Sequence, residues 1–379
     1  MKKIFFYSNH REDDEAIGIT KKVHSEIEAM RELGFVVYYS CYYHNGIGIF
    51  DNDNKLLYHK RYIFHKKSIN HYSRRFENIM VSKKYLENNY FDILYMRFHF
   101  WDLCTLDFVK TAKARNLKVV VEAHAYPYYI KETSKLMQFV FKMDGYFQKF
   151  VHSYVDLVAA ITDKNAQIWN CDTIRIENGI NVKDSKCRTP ISYKSQTLKL
   201  VCVANENISH GIDRLIKGIA AYYSEGGKND VLVWLIGEYF AETKELVKRY
   251  KLTKHVIFIG KKSGDELFEY YNRADFGVGP LAAFRQDYHS GICLKTKEYF
   301  AAGLPFITSA CQTAEINKFY FAVVYDETND PIDISSLFIK KETLKDKDVI
   351  AEEMHEYAMK NYSWVDEMRK VFVYLGYLV

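Results

Sequence analysis

The residues best suited to chemistry lie in SGICLKTKEYFAAGLPFIT, residues 290–308. A loop holding Ser290, Gly291 and Ile292 leads into a short helix starting near residue 294, and Gly303-Leu304-Pro305 turns the chain into an apolar strand. A helix N-terminus presents unpaired backbone N–H groups and the positive end of a dipole, which suits a phosphate. Lys295 in the first turn adds a full charge. Glu298, about one turn further, is placed to accept hydrogen bonds from two vicinal hydroxyls, such as those of a ribose. Together these residues read as a nucleotide diphosphate site. They fit equally well a plain amphipathic helix with a solvated Glu298 and a Gly303 cap, and local physics alone does not separate the two.

A second group stands at strand ends in the N-terminal half. His124 closes the apolar run KVVVEAH, at the carboxyl end where a ligand would sit, or else it is a core histidine bonded to a carbonyl. Arg97 after FDILYM and Tyr126 are candidates for lining the acceptor side, and Gly18 opens the first helix, as a close-approach point or as a bare cap. Other chemistries are excluded: no HExxH, GxSxG or P-loop pattern occurs, and no Gly-rich dinucleotide fingerprint follows a strand. The seven cysteines are odd in number, without a CxxC pair or a tight Cys/His cluster along the chain. Neither a disulfide framework nor a metal site is therefore expected, and reduced thiols in a cytosol are the default.

These groups need a scaffold. In the N-terminal half KIFFYS, FVVYYSC, FDILYMRF, KVVVEAH and VDLVAAIT are apolar throughout, as parallel strands covered on both faces should be. Between the first two, Val23, Ile27 and Met30 form one apolar helix face, which Gly34 stops. After a polar stretch at 182–197 the rhythm restarts with LKLVCVA, IDRLIKGIAAYY, VLVWLIG, ETKELVKRY and HVIFIG. The expected fold is α/β, with two Rossmann-like doubly wound parallel sheets facing a central cleft. A length of 379 residues and 48% hydrophobic content agree with two full cores. The expected boundaries are 1–185 for an acceptor domain, 195–360 for a donor domain, and 361–379 for a C-terminal helix returning to the first domain.

Charge is uneven. Residues 59–86 carry eight Lys or Arg (Lys60, Arg61, Lys66, Lys67, Arg74, Arg75, Lys83 and Lys84) and one acid, Glu77, while the whole chain nets only +5. Ile63, Phe64, Ile69, Phe76, Ile79 and Met80 interleave with these doublets. That mixture reads as a contact with an anionic membrane, or as a solvated face. No nucleic-acid partner is expected, because no recognisable module accompanies the charge. No run of about 18 apolar residues occurs, and the first apolar run is too short for a signal peptide, so a cytoplasmic protein is expected, on the membrane's cytoplasmic face if the patch acts as read.

Seven segments, in order, resemble glycosyltransferases of family 4, which have the two-Rossmann architecture called GT-B. They are GITKKVHSEIEAMRELGF, VEAHAYPYYIKE, RIENGIN, LVCVANENISHGIDRLIKGI, HVIFIGKKSGDELFEYYNRADFGVGP with VWLIGE before it, EYFAAGLPFI and NYSWVDEMRKVF. The HGIDRL form is similar to a branch acting in capsule and exopolysaccharide assembly. The resemblance implies transfer of a sugar from a UDP- or GDP-sugar to a saccharide acceptor, lipid-linked, with retained configuration, no metal and no cofactor beyond the donor. It implies that Glu298 grips the ribose, that the main chain near Lys261 holds the base, and that His124 contacts the reacting sugar as the catalytic candidate. The family's two diphosphate cations fall here at Asn205 and His210, and its sugar-contacting Glu falls at Ser290. Those departures keep two rival readings open: an epimerase or hydrolase on the same fold, and a non-catalytic nucleotide-sugar-binding protein.

Overall fold

β1 (Lys3–Arg11) is buried along almost its whole length, and it sets the arrangement of everything around it. The structure, a computed structural model, describes residues 1–13, 18–63, 70–124, 126, 135–162, 167–181, 185–189, 196–286, 292–309, 316–344 and 349–379. The chain divides into two units, residues 1–178 with 364–379, and residues 179–363.

In the first unit α1 (Gly18–Glu32) carries the chain from β1 to β2 (Val36–Tyr43), which pairs parallel with β1. β3 (Gly46–Phe50) and β4 (Leu56–Arg61) then fold back, followed by α2 (Asn70–Asn88) and β5 (Ile93–Arg97). α3 (Leu103–Ala114), β6 (Lys118–Ala123), α4 (Lys135–Phe147), β7 (Leu157–Ala160) and β8 (Thr173–Arg175) complete the sheet. Its order is β4-β3-β2-β1-β5-β6-β7-β8. The sheet is parallel from β2 to β8, but β3 and β4 pair antiparallel, a departure from the all-parallel expectation. The cause is local: His44 takes a left-handed φ of +47°, and Tyr43 pairs across the turn with Gly46. β4 is the exposed edge, and Lys60 and Arg61 on it oppose pairing with another chain's edge.

The second unit runs through β9 (Leu198–Val203), α5 (Ile212–Ser224), β10 (Val231–Ile236), α6 (Ala241–Arg249), β11 (Val256–Gly260) and α7 (Gly264–Arg273). It continues with β12 (Phe276–Val278), α8 (Leu294–Ala302), β13 (Phe306–Ser309), β14 (Ala322–Tyr325), α9 (Ile334–Leu344) and α10 (Ile350–Asn361). All its strands are parallel, in the order β11-β10-β9-β12-β13-β14. The chain thus builds outward on one side of β9, then crosses to the other. Such a reversal leaves a crevice at the carboxyl ends of the two central strands, here β9 and β12.

The chain ends with α11 (Trp364–Tyr374), which packs in the first unit against α1. Phe372 is fully buried with its ring 4.1 Å from that of Phe35, and the Glu177 N–H donates to Glu367 Oε2 at 3.0 Å. Removing a buried phenyl group costs about 3–5 kcal/mol. Phe372→Ala should therefore lower the urea midpoint of the first unit, followed by the near-ultraviolet circular dichroism of its aromatic core. An unchanged midpoint would mean that α11 does not contribute to that unit's stability.

Candidate active site

The crevice of the second unit is built by two loops pressed together. Gly211, with φ +62°, brings its backbone against Leu281 and Ala282, and a Cβ added there would lie 2.9 Å from the Ala282 Cβ. The N–H groups of Leu281 and Ala282 donate to the carbonyls of His210 and Ser209 at 3.1 and 3.0 Å. The loop after β9 is thereby fixed to the loop after β12. A second close approach sits beside it, where a Cβ on Gly237 (φ +123°) would meet the Ala204 carbonyl at 2.0 Å.

His210 is buried in this arrangement, and its Nδ1 accepts the Asn207 backbone N–H at 3.2 Å. An acceptor nitrogen carries no proton, so the ring's proton is on Nε2, available to a ligand. Burial, with the positive Lys295 second, draws the His210 pKa down to about 3, so the ring is neutral at pH 7. Asn205 is exposed, and its Oδ1 accepts the Glu238 N–H at 3.3 Å. Glu238 also binds Lys261 at 3.0 Å, so that lysine's charge is already matched.

Lys295 and Glu298 lie in the first turns of α8, three residues apart and so on one face. The Lys295 Nζ is buried and has no hydrogen-bond partner among the described residues. Glu298 is half-buried, close enough to Tyr271 to help burial push that phenol far above its ordinary range. Gly303 caps the helix at φ +71°, as its sequence predicts. The Ile292 side chain belongs to the unit's apolar core, so only its main chain is available to a ligand. Ser290 and Gly291 lie outside the described residues.

At the carboxyl ends of β5 and β6 the first unit gathers Arg97 and His124 with three groups not singled out from the sequence. Lys22 Nζ binds Glu122 Oε1 at 2.8 Å and Glu26 Oε1 at 3.3 Å, and both carboxylates are fully buried. Burial, then the neighbouring Glu122, pushes Glu26 up to about 8, so it holds a proton at neutral pH. Burial also disfavours the charged form of Glu122, but Lys22 and Arg97 outweigh it and hold the group at about 2. His124 is solvent-exposed; loss of water around its ring, followed by Arg97, draws its pKa down, and Nη1 of Arg97 has no hydrogen-bond partner among the described residues. The signal for this cluster was present: Glu26 falls on the apolar face of α1, and Glu122 interrupts an apolar strand. Tyr126 packs partly against the unit's core, and a Cβ on Gly18 would meet nothing within 4 Å, so its backbone is not closely approached.

The basic stretch at 59–86 is spread over two elements, and one member is misassigned. Arg75 is buried, donating to Asp102 at 2.6 Å, to the Phe100 carbonyl at 2.9 Å and to Thr105, with its guanidinium 3.8 Å from the Phe100 ring. It is a structural arginine, removed from any surface patch by the N-terminal cap of α3. Arg74 stacks on Tyr62, and Lys83 binds Asp107. Arg61 and Lys84 are exposed, as are Ile63, Phe76 and Met80, whereas Ile79 is buried. Lys60 is half-buried, and Lys66 and Lys67 lie outside the described residues. Among the described residues no helix is long and apolar enough to cross a membrane.

Residues 197–330 match the family described as Glycosyl transferases group 1, a span of about a third of the chain that falls within the second unit. Sucrose-phosphate synthase from Thermosynechococcus elongatus shares the fold over 99% of both chains, with a TM-score of 0.64 at 16% identity. WaaG, a glycosyltransferase involved in lipopolysaccharide biosynthesis, gives a TM-score of 0.64 at 14% identity, over 97% of this chain and 99% of its own. Anabaena HepE, in a complex with UDP, gives 0.61 at 12% identity over the whole of both chains. No curated protein matches in sequence. The second unit is thus a group 1 glycosyltransferase domain, in a chain whose fold is GT-B.

Because His124 and His210 have folded pKa values below that of a free imidazole, the unfolded chain takes up their protons first as acid is added. Their contribution to stability is complete above about pH 6.5 and is lost as the pH falls toward 4 and 3. For His210, urea unfolding at pH 7 and 4.5 should show His210→Gln relieving on the order of 2 kcal/mol of the acid-induced loss. Parallel pH profiles of variant and parent would show that His210 titrates normally.

Proposed function

We propose that the protein transfers a sugar from a UDP- or GDP-sugar to a saccharide acceptor, lipid-linked, in the synthesis of a cell-surface polysaccharide at the cytoplasmic face of the membrane. The observation that carries this reading is the buried Lys295 ammonium nitrogen, which has no hydrogen-bond partner among the described residues and lies near His210 at the crevice between β9 and β12. An unmatched buried cation is costly, and a diphosphate supplies the missing charge. The first turn of α8 adds N–H groups aimed at the same anion. Glu298, on the same face, takes the ribose hydroxyls. UDP bound by HepE, on the same fold, favours a uridine nucleotide without fixing the sugar.

In this reaction the bond between the anomeric carbon and the diphosphate oxygen breaks, and the acceptor oxygen bonds to that carbon on the same face. The acceptor's proton passes to the leaving phosphate, so no side-chain nucleophile is needed at Ser290. Lys295, the neutral His210 and the helix end carry the developing charge, and no metal is assigned to that role. Neutral His124, with Arg97 beside it at the first unit's strand ends, is a candidate hydrogen-bonding group for a sugar. The exposed Arg61, Ile63, Phe76, Met80 and Lys84 form the membrane contact, which the lipid-linked acceptor requires.

Calorimetric titration with UDP and GDP tests the donor site. Lys295→Gln and Glu298→Ala should each weaken the preferred nucleotide at least tenfold, about 1.4 kcal/mol. Equal affinity in both variants would remove the nucleotide from this crevice. Nucleotide release from the donor only when a saccharide acceptor is added distinguishes a transferase from a hydrolase. Replacing Arg61, Phe76, Met80 and Lys84 should reduce binding to anionic vesicles while leaving nucleotide affinity intact, whereas retained vesicle binding rejects the patch.

A further inference from the structure

The end of β1 holds a cluster that the sugar-transfer reading does not use. His10 lies near the end of β1 and Glu12 in the turn just after it, and the two side chains meet where β2 presents Tyr39 and Cys41 and α1 presents His24. Glu12 Oε2 is the meeting point: 2.9 Å from His10 Nε2, 3.1 Å from His24 Nε2 and 3.9 Å from Cys41 Sγ. The donor atoms of His10, Glu12 and Cys41 all lie within 4.8 Å of one another. His10 is 3% exposed and Cys41 fully buried, while the His24 ring is 30% exposed.

Three features separate this cluster from an ordinary hydrogen-bond network. It joins imidazole nitrogen, carboxylate oxygen and thiol sulfur from three elements, the mixed donor set of zinc-class ions. With metal bonds near 2.0–2.3 Å, ligand atoms of a tetrahedral site lie roughly 3.3–3.7 Å apart. The three spacings from Glu12 Oε2 need to change by only a few tenths of an ångström, whereas His10 and Cys41 need only lie within 4.8 Å and His24 stands outside that trio and must turn inward to join it. The buried ring of His10 also leaves Nδ1 without a hydrogen-bond partner among the described residues, so the cluster does not satisfy its own polar atoms. The surroundings hold the ligands in place as an outer shell should: the Tyr39 hydroxyl donates to Glu12 Oε1 at 2.9 Å, and Thr20 Oγ1 donates to the Arg11 carbonyl at 3.0 Å.

We propose that His10, Glu12 and Cys41, with His24 as the fourth donor, bind one zinc-class divalent cation that ties β1, α1 and β2 together. The cation leaves the diphosphate crevice of the second unit untouched. In binding, Cys41 gives up its thiol proton to solvent and each imidazole ligates in its neutral form.

The test uses the full chain, stripped with a chelator and titrated with Zn²⁺ against a chromophoric competitor, and with Co²⁺ alone. One Zn²⁺ per chain is expected, with a rise in melting temperature and, for Co²⁺, a thiolate-to-metal charge-transfer band. Cys41→Ser should abolish that band and weaken Zn²⁺ at least tenfold. His24→Asn, at the most exposed position, should weaken Zn²⁺ while folding normally, which covers the case of a misfolded Cys41 variant. Zinc content well below one per chain, or full affinity retained in a folded His24→Asn or Cys41→Ser variant, overturns the site.

Discussion

The close approach of Gly211 to Leu281 and Ala282 is the constraint on which the second unit's chemistry depends. Without a side chain at 211, two loops from non-consecutive strands share main-chain hydrogen bonds, and His210 is held with one nitrogen on the Asn207 N–H and the other open. Any Cβ there would force the loops apart, and the left-handed φ already disfavours one. The sheet order does the rest. Because β9 has β10 on one side and β12 on the other, the strand order reverses at β9, which favours a crevice at the carboxyl ends of β9 and β12, and α8 begins after the second of them.

The first unit solves a different problem, that of keeping charge inside. Lys22 stands between two buried carboxylates, and an isolated buried carboxylate costs several kcal/mol. The unit limits this by letting Glu26 keep its proton, so that Lys22 and Glu122 remain as one ionised pair beside Arg97. The same lysine lies 5.3 Å over the ring of Trp364, where the C-terminal helix begins. The ends of β5 and β6, α1 and α11 are thus coupled through one side chain, and His124 stands at the edge of that cluster as a neutral ring.

Much of this was legible in the residues, and the failures have physical causes. Buried parallel strands announce themselves as unbroken apolar runs, so β1, β5, β6, β9 and β10 could be read directly. The β3–β4 hairpin could not, because GIGIF is small and apolar while β4 is polar and exposed, and neither shows a clean period of two. Arg75 looked like half of a surface doublet, since sequence cannot show that α3 offers it Asp102, Thr105 and a carbonyl. The cluster at His10 illustrates the same limit: Glu12, His24 and Cys41 are far enough apart along the chain to match no metal spacing, and only the pairing of β1 with β2 brings them together. The pairing of Lys295 with Glu298 is legible in the sequence because their relation is local, three residues along one helix.

Asn205 and His210, where the family resemblance implies two cations, leave the proposed anion site with Lys295 as its charge. Lys261 and Lys262 are matched by Glu238 and Glu266, Arg285 by Asp213, and Arg214 by the carbonyls of Leu281 and Asp330. Those charges maintain the frame, and only the Lys295 nitrogen among these cations lacks a hydrogen-bond partner within the described residues. A neutral His210 then serves better than a charged one, because a second positive charge near Lys295 in a buried pocket would raise the cost of the empty site. In the proposed function its Nε2–H is the group that donates to a phosphate oxygen. The crevice therefore combines one full charge with fixed dipoles, the imidazole N–H and the first turn of α8. A site built this way holds its geometry before the anion enters, and preorganised dipoles of this kind stabilise developing charge without rearrangement.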